Sequence, residues 1–162
     1  MPTRRHITRI SLLALTGVAV AAVTGCGMMQ DRSGMGMGMA SSNMVAFNTQ
    51  LRAGNEVPVN ASQGTGSVDA MFNKDTNLLR WKVNYSGLSG PATAGHFHGP
   101  AAAGANAGVV VPWSGPMASP LEGSATLTTA QVADLMAGRW YANIHTAANP
   151  GGELRGQMTV RN

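Results

Sequence analysis

Cysteine is nearly absent. Cys26 is the only one among 162 residues. No disulfide can form within the chain, and no cysteine in its body can act as nucleophile or metal ligand. Charge is also scarce, at 11% of residues, and aromatics make up only 5%. The formal charge of +4 overstates the basic balance. Three of the cations, Arg4, Arg5 and Arg9, sit in an N-terminal leader, which leaves eight basic and seven acidic residues. No basic cluster remains to mark a nucleic-acid footprint, so nucleic acid is not an expected partner. There is no Gly-x-Ser-x-Gly, and nothing in the composition supports a Ser-His-Asp hydrolase. The apolar run Ile10–Val23 is too short to span a bilayer comfortably.

That run belongs to an export signal. MPTRRHITR is its basic start and ISLLALTGVAVAAV its apolar centre. The end, Val23-Thr24-Gly25-Cys26, resembles a bacterial lipobox: an apolar residue and two small ones before a cysteine. The resemblance implies cleavage before Cys26 and lipid attachment on it. TRRHITR partly resembles a twin-arginine signal, but Thr8 stands where an apolar residue is usual, so the export route stays open. Gly27 after the cysteine, rather than Asp, points by analogy with sorting rules to the outer membrane, facing the periplasm. The expected organisation is a signal peptide at 1–25, a lipidated Cys and tether at 26–43, and one domain at 44–162.

The tether GMMQDRSGMGMGMASSN is low in complexity, and its Gly and Ser content predicts flexibility. It carries five of the eleven methionines: Met28, Met29, Met35, Met37 and Met39. Thioethers are soft donors suited to Cu(I). Met35, Met37 and Met39 are therefore candidate Cu(I) ligands, beside the plainer reading of a spacer.

The domain is rich in glycine and turn residues and reads as all-β. VAFNTQL alternates Val45, Phe47, Thr49 and Leu51 on one face. SVDAMF does the same with Val68, Ala70 and Phe72, and LLRWKVNYSGL with Leu79, Trp81, Val83 and Tyr85. GHFHG, VVVPW, LEGSATL, RWYANIHT and ELRGQMTV supply further strands. One helix is expected. Thr128 and Gln131 fit a capping box, Val132, Leu135 and Met136 form an apolar stripe, and Gly138 is a stop. Seven or eight strands at hairpin spacing predict an antiparallel sandwich or barrel with one short helix.

The body of the chain has three histidines, His96, His98 and His145. On a strand, residues i and i+2 share a face, roughly 6.5–7 Å apart. His96 and His98 therefore converge while Phe97 anchors in the core. In RWYANIHT, Trp140, Ala142 and Ile144 face one way, and Tyr141, Asn143 and His145 the other. Three imidazoles suit copper or zinc with an open fourth position. Equally, each ring can tie a loop carbonyl, and both readings stand at this level. Glu153 and Arg155 alternate along the last long strand and read as a solvated or cross-strand ion pair. Alternatively, Arg155 faces the histidines as an anion guide.

Three segments carry a resemblance to a known family. They are Ala53-Gly54-Asn55-Glu56-Val57-Pro58, His96-Phe97-His98-Gly99-Pro100-Ala101, and Tyr141-Ala142-Asn143-Ile144-His145-Thr146 followed by Pro150-Gly151-Gly152-Glu153-Leu154-Arg155-Gly156-Gln157. In that order, over about 44–161, they resemble the CHRD domain, a module named after chordin and also found alone in exported bacterial proteins. The resemblance implies an immunoglobulin-like β-sandwich with some similarity to copper/zinc superoxide dismutase. That enzyme also places copper on a His-x-His strand, matched by His96 and His98, with a further histidine on a late strand, matched by His145. Its zinc ligands have no counterpart here, because the loop AAAGANAG lacks His and Asp. The implied cofactor is a single copper ion and no zinc. The resulting expectation is a lipid-anchored metal-binding module, with enzymatic activity left open. The alternatives are a protein-interaction module with stapling histidines and a weak dismutase-like copper enzyme.

Overall fold

The computed structural model describes residues 43–161. The tether methionines Met35, Met37 and Met39, Cys26 and the leader lie outside the described residues. The elements in chain order are β1 (Met44–Arg52), a 3-10 turn (Ala53–Asn55), β2 (Thr65–Asn73), β3 (Leu78–Ser86), β4 (Ala92–His98), β5 (Val109–Pro112), β6 (Leu121–Thr126), α1 (Thr129–Met136), β7 (Tyr141–Thr146), β8 (Leu154–Gln157) and β9 (Thr159–Val160).

All strand pairs are antiparallel, in the order β5-β4-β7-β8-β1-β2-β3-β6, with β9 beside β1. The expected all-β fold with one short helix is the fold observed. Between β8 and β1 the register narrows to one pair, Arg155 opposite Arg52. The path thus bends into two halves, β5-β4-β7-β8 and β1-β2-β3-β6. Side chains from opposite halves meet inside. Trp81 of β3 packs edge-on against Phe97 of β4, centroids 5.2 Å apart. Phe97 in turn meets Trp113 at 5.3 Å and Trp140 at 5.9 Å. These contacts form the centre of a sandwich core.

The period-2 patterns explain which face is inner. Phe47, Leu51, Val68, Ala70, Phe72, Leu79, Trp81 and Val83 are all buried. The β2–β3 turn follows its residues too. Asn73 Oδ1 accepts from the backbone N–H groups of Asp75 and Thr76 at 2.8 and 3.0 Å, and Asn77 takes the left-handed conformation (φ 55°) that asparagine tolerates. In α1, Thr128 N donates to Gln131 Oε1 at 2.9 Å and Gln131 N to Thr128 Oγ1 at 3.3 Å, which is the expected capping box. Gly138, with φ +67°, follows the last turn. Of the predicted apolar stripe, Leu135 is buried and Val132 packs on the core, but Met136 is 42% exposed. Gln131 Nε2 also donates to Val110 O at 3.2 Å, so the helix covers the outer edge of β5.

Candidate metal centre

The glycines of GHFHG explain how two histidines come to share one short strand. Gly95 in β4 and Gly99 just after its end lie on the inner side with Phe97. A Cβ at Gly95 would overlap the six-membered ring of Trp113, and one at Gly99 would come within 2.6 Å of Trp140 Cδ1. The bare backbone at these two points lets the two indoles close over β4. Phe97 between them is fully buried. The alternation then leaves His96 and His98 on the outer face.

Register carries the pattern to the neighbouring strands. His98 lies opposite Tyr141, His96 opposite Asn143, and Ala94 opposite His145 on β7. Tyr141 lies opposite Gln157, and Asn143 opposite Arg155, on β8. The outer face is therefore a polar array on an apolar sheet. The loop at 101–108 folds over part of it, so Tyr141, Asn143 and Arg155 are buried although they point away from the core. His96, His98 and His145 are half-buried.

The three predicted histidines come together. One nitrogen from each can be chosen so that all lie within 4.8 Å of one another. His96 Nδ1 is 3.1 Å from His145 Nε2. Two backbone carbonyls hold the other two rings. His98 Nδ1 is 3.0 Å from Ala107 O, and His145 Nδ1 is 2.9 Å from Pro150 O. A carbonyl only accepts, so both Nδ1 atoms carry a proton, and in a neutral ring held this way Nε2 presents the lone pair. His98 Nε2 is buried and has no hydrogen-bond partner among the described residues. A buried orphan nitrogen of this kind is unusual. Burial pushes the His96 imidazole below its usual range, reinforced by His145 and His98 beside it. Burial does the same at His98, helped by His145 and Arg155 and opposed by the bond to Ala107. Both effects keep the rings neutral, the state that ligates metal.

The donor set fits a transition-metal ion. Around a tetrahedral ion, ligand nitrogens about 2.0–2.1 Å from the metal lie about 3.4 Å from one another, so a pair at the 4.8 Å limit must close by about 1.4 Å. His98 Nε2, His145 Nε2 and one nitrogen of His96 are the atoms that would hold the ion; Nδ1 of His96 would first give up the proton it shares with His145 Nε2.

Arg155, the predicted anion guide, is 2% exposed. Its Cζ lies 3.5 Å over the Tyr141 ring, and its Nη1 donates to Asn106 Oδ1 at 2.8 Å and its Nη2 to Ala105 O. The predicted ion pair with Glu153 does not form. Glu153 precedes β8, is fully buried and turns into a cluster of loops. It accepts from Ser62 Oγ and Ser89 Oγ, each at 2.6 Å, Ser89 N at 2.7 Å, Asn149 Nδ2 at 3.1 Å, and Thr146 Oγ1. Burial alone would raise its pKa. The donors from Ser62, Ser89 and Thr146 overcome this and hold it at about 2.

Glu56 stands in the segment AGNEVP, but the sequence assigns it no role. It is 5% exposed, accepts from Asn143 Nδ2 at 2.6 Å, and is pushed up by burial to about 7 against the opposing pull of Arg155. Gly152, at φ +134°, leaves room for this pair, since a Cβ there would stand 2.6 Å from Glu56 Oε1. Asn55 Nδ2 donates to Arg155 O at 3.0 Å. Their signal in the sequence is membership of the segments AGNEVP and YANIHT, and the register then places Asn143 beside His96.

The fold and site define a class: an antiparallel β-sandwich with a three-histidine cluster, able to hold a metal ion, on the outer face of one half. The chain belongs to the CHRD domain family, whose model matches residues 47–158. No curated protein and no solved structure matches it. The three segments with family character converge in space. AGNEVP supplies Asn55 and Glu56, HFHGPA two histidines, and YANIHT…PGGELRGQ the third histidine, Tyr141, Asn143 and Arg155.

Proposed function

We propose that this protein is a copper-binding module of the bacterial cell envelope. The observation that carries the reading is the orphaned, buried Nε2 of His98 beside two further imidazoles. Among divalent first-row ions, an all-imidazole site favours Cu(II). Met35, Met37 and Met39 of the tether add soft donors for Cu(I). Lipid on Cys26 anchors the module to the membrane, on the outer membrane facing the periplasm. Replacing Cys26 by Ala moves the protein from the membrane to the soluble fraction on this reading.

A second reading has support of its own. The Nδ1 atoms of His98 and His145 do staple the loops at Ala107 and Pro150. Stapling uses one nitrogen of each ring and leaves the other free, so it does not compete with ligation. Competitive titration of purified protein with Cu(I) and Cu(II), wild type beside a His96→Ala/His98→Ala variant, separates the two. Affinity tighter than about micromolar that is lost in the variant supports copper binding. Weak binding, equal in both, leaves the histidines as staples of an interaction module.

A further inference from the structure

Arg155 is a buried cation that no carboxylate reaches within ion-pair distance among the described residues. The ion pairs among the described residues involve Lys82, Arg139 and Arg161, and none reaches Arg155. Its partners are a side-chain amide, a backbone carbonyl and the face of Tyr141. The nearby carboxyl, Glu56, is pushed towards its neutral form by burial. Burying an unpaired charge is costly, and the fold orients this one closely.

It is aimed at the candidate metal site through one ring. The Tyr141 ring lies parallel to the His98 ring, with centroids 4.8 Å apart and planes 2° apart. Guanidinium, phenol and imidazole thus form one stack. Tyr141 Oη both donates to Ala107 O and accepts from Ala107 N, each at 3.2 Å. Ala107 O is also the carbonyl that holds His98 Nδ1. Arg155 fastens the two preceding residues of that loop, Ala105 and Asn106. His98 is therefore fixed in plane by Tyr141 and in rotation by Ala107, and Arg155 holds both supports.

We propose that Arg155 is a positioning residue for the metal site, locking His98 through Tyr141 and favouring the ion of lower charge, Cu(I) over Cu(II). This inference rests on the copper reading above. From the centre of the Tyr141 ring the guanidinium carbon is 3.5 Å away and the centre of the His98 ring 4.8 Å away. At an effective dielectric near 20, one unit of ionic charge on the order of 10 Å away changes relative affinity by about tenfold.

The test measures Cu(I) and Cu(II) dissociation constants separately, by competition with chromophoric chelators, on the full protein and on two variants. Arg155→Gln removes the charge and keeps an amide donor. It is expected to shift the Cu(I)-over-Cu(II) preference about tenfold towards Cu(II), equivalent to a drop of about 59 mV in midpoint potential. Arg155→Lys keeps the charge but loses the planar fork and stack. It is expected to weaken both affinities and hold their ratio within about threefold. A wild-type protein that binds both ions, with an unchanged ratio in Arg155→Gln, overturns the inference and leaves the copper site standing. A wild-type protein that binds neither ion removes the copper reading and the inference with it. If Arg155→Gln fails to fold by circular dichroism, Arg155→Lys decides: a tenfold change in its ratio overturns the proposal.

Discussion

Replacing Glu153 by Gln isolates the contribution of one buried carboxylate. The native group accepts from three hydroxyls, one amide and one backbone N–H, joining the segments around Ser62, Ser89 and Asn149 to the end of β7. Its pKa falls from an ordinary 4.5 to about 2 in the fold. A depressed folded pKa contributes stability that is complete above the unfolded pKa and disappears as pH falls through the folded one. The window runs from about pH 5 down to about pH 2. At about 1.4 kcal/mol per unit, the shift corresponds to about 3 kcal/mol. Glutamine preserves the shape but cannot titrate, and its NH2 faces groups that themselves donate. Urea unfolding of wild type and Glu153→Gln, at intervals between pH 7 and pH 2, reads this directly. The wild type is expected to be more stable by about 3 kcal/mol at pH 7. The difference is expected to shrink steadily below pH 5 and nearly vanish by pH 2. A gap that stays constant across the range would refute the reasoning, since stability would then not depend on the ionised form.

Glu56 has the opposite sign. Its folded pKa is raised to about 7, so the fold favours the protonated form, and the stability this contributes is lost as pH rises from about 4.5 through 7. Glu56→Gln is therefore expected to flatten stability over that interval by about 3 kcal/mol relative to wild type, in denaturant melts at pH 5 and pH 8. Gly95→Ala drives a methyl group into the Trp113 ring and is expected to cost about 1–3 kcal/mol in thermal unfolding; an unchanged melting temperature would mean that Trp113 is free to move. Thr128→Ala removes the α1 cap at about 1 kcal/mol, and Thr128→Ser is expected to restore it in the same melts.

The strands and their inner faces were legible because alternation is a local property. Phe97 flanked by two histidines, or Leu79, Trp81 and Val83 flanked by cations and Asn84, announces which side is buried without reference to any partner strand. The convergence of His96, His98 and His145 was legible for the same reason, given strands in the right order. Glu153 was misread because alternation was carried one residue too far. The strand begins at Leu154, and the residue before it belongs to a loop whose partners lie far away, at Ser62 and Ser89. Burial of Arg155 was hidden by the same kind of distance. Its cover comes from Ala105 and Asn106, in a loop that reads as small and featureless. The glycines flanking the histidines read only as part of a short strand, yet two indoles need their bare backbone, and no local pattern marks a pairing between Gly95 and Trp113 or between Gly99 and Trp140.

The division between staple and ligand follows from the chemistry of imidazole and the position of two carbonyls. A histidine that only fastened a loop would be satisfied by one hydrogen bond, with its second nitrogen turned to water. At His98 the second nitrogen is shielded instead, between Tyr141 on one side and two further imidazoles on the other. Replacing the ring by Asn would keep a donor for Ala107 and remove the lone pair. If stapling is all His98 does, His98→Asn retains most of the wild-type melting temperature, and added copper raises neither. If the shielded nitrogen is a ligand, copper raises the wild-type melting temperature by an amount that grows with its concentration, and the Asn variant loses that rise.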